Sequence, residues 1–196
     1  MQNQSSSIQR LAGISIFMAI IVTLQVFATF IRPGLIPVAL ALPPIIIGSA
    51  MYGAKAGAML GMSFGVVVLI SGISGTAPLS AAMWAYNPFL MIIATLGRGA
   101  IIGITAGTVY SVVSKKNKYL GVICAAITGP IANTGTFCTV LFFMFREILN
   151  QRAGDRPVLS FLFMTFVGVN FLLELSFNIL LCPTILRIIN LGKKRV

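Results

Sequence analysis

The chain has 196 residues but no histidine, only three acidic side chains, three cysteines and a single tryptophan. Without histidine it lacks the commonest general base and the commonest neutral metal ligand. Glu147, Asp155 and Glu174 form no acidic cluster of the kind that holds Mg²⁺ for phosphotransfer. Charged residues make up 9% of the chain, against about 25% in ordinary soluble domains, so no water-soluble surface can be assembled. Cys124, Cys138 and Cys182 all lie in apolar stretches without C-x-x-C spacing. They suit neither a disulfide framework nor zinc and read as small hydrophobes. No G-x-x-x-x-G-K-[ST] loop is present to cradle ATP phosphates. Gly72-Ile73-Ser74-Gly75 matches the G-x-S-G of intramembrane rhomboid proteases. Its serine has no histidine to activate it, so that chemistry is excluded. No enzyme activity is expected.

What the chain does have is apolar length. Hydrophobic residues make up 58%, and a helix of ~20 such residues crosses a bilayer. Six runs qualify: about Leu11–Ile31, Leu35–Tyr52, Ala56–Ile70, Pro88–Val113, Tyr119–Phe145 and Leu159–Ile189. The first lacks an A-x-A cleavage site and reads as a retained helix. The second contains Pro37 and Pro43-Pro44, which predict a kinked or partly unwound segment. Residues 71–87 read as a long loop and 146–158 as a shorter one. The expected architecture is an all-α integral membrane bundle of six transmembrane helices, a single domain over 1–196.

The net charge of +11 concentrates at the ends of the apolar runs, which points to membrane orientation rather than nucleic acid. With the N-terminus inside, nine basic residues face the cytoplasm: Arg10, Lys55, Lys115, Lys116, Lys118, Arg187, Lys193, Lys194 and Arg195. Four face outward (Arg32, Arg146, Arg152 and Arg156), and Arg98 lies within a helix. Both termini are therefore expected in the cytoplasm, with loops 71–87 and 146–158 outside. Gly53, Gly57, Gly61 and Gly65 recur every fourth residue, as do Gly99, Gly103 and Gly107. Such ridges serve close helix packing within the chain or a sliding partner.

Polar groups inside a membrane are costly and mark candidate functional positions. Gln25, Arg98, Asn133, Thr134, Asn170 and Glu174 fall between the outer interface and the midplane, at depths of roughly 9–22 Å for a rise of 1.5 Å per residue. Asn170, Glu174 and Asn178 share one helix face through their i, i+4, i+8 spacing. Two readings stand side by side: a structural Arg98–Glu174 ion pair with amide cross-links, or a pocket for a small polar molecule. In the second, Trp84, Tyr86 and Asn87 of the 71–87 loop close over the ligand.

The stretch Leu42-Pro-Pro-Ile-Ile-Ile-Gly-Ser-Ala-Met-Tyr-Gly53, continued by Gly57, Gly61 and Phe64-Gly65, resembles helices two and three of energy-coupling factor (ECF) S components. These are the substrate-binding subunits of bacterial vitamin importers. Asn87-Pro88 with Gly103, Gly107, Val109 and Tyr110 resembles their helix four, and Gly129 with Asn133-Thr134 their helix five. The resemblance implies a multi-pass protein of the bacterial cell membrane that captures a vitamin outside and topples within the bilayer. It implies association with a shared membrane coupling subunit and two ATPases, which use the ATP, so the chain needs no cofactor of its own. It also implies docking through small residues of helix one, here Ser15 and Ala19, with serine where the family has its first alanine. Helices five and six look most like the pantothenate branch. Arg98 suits a carboxylate, while Gln25, Asn133 and Asn170 suit hydroxyls and an amide. An S component for riboflavin, folate or hydroxymethylpyrimidine/pyridoxine, an ion-coupled secondary transporter using Glu174, and a purely structural membrane protein remain as other readings.

Overall fold

A computed structural model describes residues 2–30 and 38–192. Among these there is no strand, as expected where oil leaves every backbone group to be satisfied within its own segment. The order is α1 (Gln2–Ala28), α2 (Leu42–Tyr52), α3 (Ala54–Ile73), α4 (Pro78–Tyr86), α5 (Pro88–Val113), α6 (Lys118–Met144), α7 (Arg146–Ala153), α8 (Val158–Leu162), a π-helical stretch (Phe163–Asn170), α9 (Phe171–Leu180) and α10 (Cys182–Gly192). Five segments are long and apolar enough to cross a membrane: Ser7–Ala28, Ala54–Ile73, Pro88–Val113, Lys118–Met144 and Phe171–Leu191. Large apolar side chains remain exposed on all five, among them Ile16, Ile70, Ile93, Ile131 and Leu180. That surface suits lipid, not water.

The helix boundaries follow local chemistry. Pro43 and Pro44 stand in the first turn of α2, where a missing N–H breaks no helical bond. Asn87 caps α5 by accepting from the Leu90 N–H at 3.1 Å, with Pro88 as the first helical residue. Asn117 caps α6 through the N–H groups of Tyr119 and Leu120. Gly53, at φ 88°, makes the sharp break between α2 and α3. It has open space around it, so it is a turn residue and not part of the α3 ridge expected from spacing.

The rest of that ridge packs inside the molecule. A β-carbon on Gly61 would run into the Gly99 carbonyl, one on Gly99 into the Gly61 carbonyl, and one on Gly103 into the Gly57 carbonyl. Helices α3 and α5 thus meet backbone to backbone, which rules out the sliding-partner reading for this face. Gly61→Ala is expected to destabilise by about 1–3 kcal/mol, as overpacking does. Gly97→Ala on the same pair of helices meets nothing within 4 Å and is expected to be neutral or stabilising. Thermal melts of the two variants in detergent check this contrast.

Three further expectations change. The 71–87 loop contains a helix, α4, and the 146–158 loop contains α7. The sixth apolar run is not one α-helix: it passes through α8 and the π-helical stretch before α9 and α10. Within the second run residues 38–41 are not helical, and Leu42–Tyr52 form an 11-residue helix whose residues Leu42–Ala50 are all buried. A helix this short reaches about 16 Å, half the hydrocarbon thickness. The Arg32-Pro33-Gly34 turn, the start of the second run through Pro37, and Lys193, Lys194 and Arg195 lie outside the described residues.

Candidate functional site

At the end of the bundle where α1 and α3 terminate, the helices part around a cavity. It has about 650 Å³ of space unfilled by protein atoms, the open solvent at its mouth included. Gln25 comes from the last turn of α1, Thr29 from the turn just past its end, and Arg98 from α5. Asn133, Thr134 and Phe137 come from α6, with Asn170 and Glu174 from the last span. Depth alone could not show that these helices turn their polar faces toward one point; the structure does. The i, i+4 steps Gln25–Thr29 and Asn133–Phe137 are the helical periodicity that places each pair on one face.

The two charges in the cavity are not paired with each other. Glu174, 1% exposed, accepts from the Ala39 N–H through Oε1 at 3.0 Å and from Asn133 Nδ2 through Oε2 at 2.9 Å. Arg98, 7% exposed, has its guanidinium between two rings, 5.3 Å from the centroid of Phe64 and 4.8 Å from that of Phe137. These cation–π contacts hold the plane of the guanidinium. Its Nε has no hydrogen-bond partner, and no carboxylate of the described residues forms an ion pair with it. Of the structural reading, the amide cross-link is present and the Arg98–Glu174 bridge is not.

Four side-chain carbonyl oxygens are likewise buried without a partner: Asn178 Oδ1, away from the cavity, and a set of three, Gln25 Oε1, Asn133 Oδ1 and Asn170 Oδ1. The residues of that set all line the cavity. A buried polar atom left unpaired costs about 1–3 kcal/mol, so one cation and three acceptors around one cavity leave hydrogen bonds for water or a small polar molecule to complete. Asn178 lies a turn beyond Glu174. Its Nδ2 donates to the Glu174 carbonyl, and it does not line the cavity.

The expected lid residues sit elsewhere. Tyr86 is half exposed and its ring lies 5.9 Å from that of Phe145. Trp84 packs against the apolar cluster around Met83 and Leu149, and Asn87 is occupied as the α5 cap. Because the segment is helical, these residues fall more than one turn past the part that covers the cavity. Ala77, Leu79 and Ser80 cover it instead, and Arg152 of α7 ties down the start of α4 through the Pro78 carbonyl. Phe64 and Phe137 were missed because a phenylalanine in an apolar run carries no sign of the cation it will stack on. Thr29 and Ser71 also line the cavity, and Thr29 was legible as the residue one turn from Gln25.

Comparison with known proteins decides the family. The family model for the ECF transporter substrate-specific component matches residues 9–186. The chain belongs to that family. As a member of that family, the chain is a multi-pass protein of the cytoplasmic membrane and a transporter component. It is 28% identical over 194 residues to the pantothenic acid transporter PanT of Lactococcus lactis subsp. cremoris (strain MG1363), covering 93% of this chain and 94% of that protein. No solved structure matches the chain.

Proposed function

We propose that the chain is the pantothenate-binding subunit of an ECF-type importer. The observation that carries this reading is the cavity's unmet hydrogen-bonding demand: one buried guanidinium without an acceptor and three buried carbonyls without donors. Pantothenate offers one carboxylate and three donors, namely two hydroxyls and an amide N–H. The match in kind and number is supported by the PanT relative. Riboflavin and folate would need flat stacking surfaces, but Phe64 and Phe137 already stack on Arg98. Proton carriage by Glu174 finds no support, since both its oxygens hold protein N–H groups.

In this reading the buried α2 belongs to a sixth crossing, both termini are cytoplasmic, and the cavity end faces outward, as the nine-to-four distribution of basic residues favours. Residues Leu42–Ala50 of α2 are all buried. Gln25, Arg98, Asn133, Thr134 and Asn170 contact the vitamin. Ser15 and Ala19, both exposed on α1, form the small-residue face that meets a membrane coupling subunit, and two ATPases supply the energy. Purified protein with pantothenate at 100 times its dissociation constant should gain about 2.7 kcal/mol of stability. A thermal-shift series over pantothenate, riboflavin, folate and pyridoxine checks this. A shift with another vitamin and none with pantothenate overturns the assignment.

A further inference from the structure

Glu174 lines the cavity, but both of its oxygens are taken by the protein. Oε2 receives the Asn133 amide N–H, and Oε1 receives the N–H of Ala39, three residues before α2. An amide side chain has a donor end and an acceptor end. A carboxylate beside Asn133 allows one orientation only, because the reverse would set carbonyl oxygen against carboxylate oxygen. The end left without a partner is therefore the carbonyl, Oδ1.

We propose that Glu174 is a positioning residue that sets the hydrogen-bonding polarity of the cavity: it makes Asn133 an obligate acceptor and so selects ligands with a donor at that point. The same carboxylate holds the backbone at Ala39 against the site. This inference rests on the pantothenate reading and adds to it the residue that dictates which way one contact runs.

Glu174→Gln reverses the polarity. The new glutamine keeps its oxygen on the Ala39 N–H and turns its amide N–H toward Asn133. Asn133 then rotates its carbonyl to that N–H and presents a donor to the ligand. Binding is measured by calorimetry on purified protein with pantothenate, its two single-deoxy analogues and the ester in which oxygen replaces the amide N–H. In the wild type each missing donor should weaken binding about tenfold or more, since each strands a buried carbonyl. In Glu174→Gln pantothenate itself weakens by a similar factor. One of the three analogue penalties should then shrink to less than about threefold, because that donor has already lost its acceptor. Adding Asn133→Asp to Glu174→Gln returns an acceptor to the cavity at unchanged net charge, and should restore pantothenate affinity and all three penalties. This double variant also serves if the single one fails to fold.

Parallel penalties in the wild type and Glu174→Gln would overturn the positioning role, as would a double variant that folds without regaining affinity. A merely structural carboxylate would weaken all four ligands by one common factor. Failure of the wild type to bind pantothenate at all overturns the pantothenate reading itself. Binding with parallel penalties overturns the role of Glu174 alone.

Discussion

Arg98→Ala should abolish high-affinity pantothenate binding and leave assembly with the partner subunits intact. The guanidinium is buried, fixed between Phe64 and Phe137, and without an acceptor among the described residues. A ligand carboxylate is the group that would complete it. Truncating one partner of a buried, hydrogen-bonded charge pair costs about 2–5 kcal/mol, a loss of roughly 30- to several-thousand-fold in affinity. The same substitution removes an unpaired buried cation from the empty protein, so the ligand-free melting temperature should hold or rise. That opposition separates a binding role from a structural one. Arg98→Lys keeps the charge but loses the planar fork and its stacking, and should fall between wild type and alanine. Calorimetry with pantothenate decides: near-wild-type affinity in Arg98→Ala would remove the carboxylate assignment.

The reciprocal result is expected from Ala19→Trp. Ala19 is exposed on α1 one turn from Ser15, whose hydroxyl is turned back onto the Leu11 carbonyl. With both polar and bulky groups withdrawn, this strip allows another helix to approach closely, which is how helices associate where lipid provides no hydrophobic drive. An indole there would hold the partner away by its own thickness. Pantothenate binding to the isolated chain should be unchanged, since the cavity draws on Gln25 of α1 and Thr29 just past its end, more than one turn further along. Co-purification with the coupling subunit, and vitamin uptake by the reconstituted complex, should both be lost. Unchanged uptake would move the docking face elsewhere.

Much of this protein was readable from its residues because membrane insertion imposes strict rules. Long apolar runs must be helices, and Pro88–Val113 has the predicted boundaries. Polar residues at depth must find partners, and six of those singled out do line one cavity. The misreadings have physical causes too. Residues 78–86 read as a loop because small and turn residues dominate that stretch, yet Pro78 is placed where a proline favours a helix start. Gly53 read as a ridge glycine by spacing alone, whereas its positive φ makes it a hinge between helices. Trp84 and Tyr86 read as lid residues because aromatic side chains near an interface invite it, and helical geometry carries them past the mouth.

By itself the sequence determined that the chain lives in a membrane, that it is built of helices, and which polar groups lie at similar depth. Those conclusions follow from composition and one-dimensional spacing, which the solvent enforces residue by residue. Only the tertiary structure decided which charges meet. Rotation of each helix about its axis gave Glu174 to Asn133 and Ala39, and left Arg98 between two phenylalanines with no acceptor. Helix rotation is set by contacts between segments far apart in the chain, and the glycine-to-carbonyl packing of α3 on α5 sets part of it.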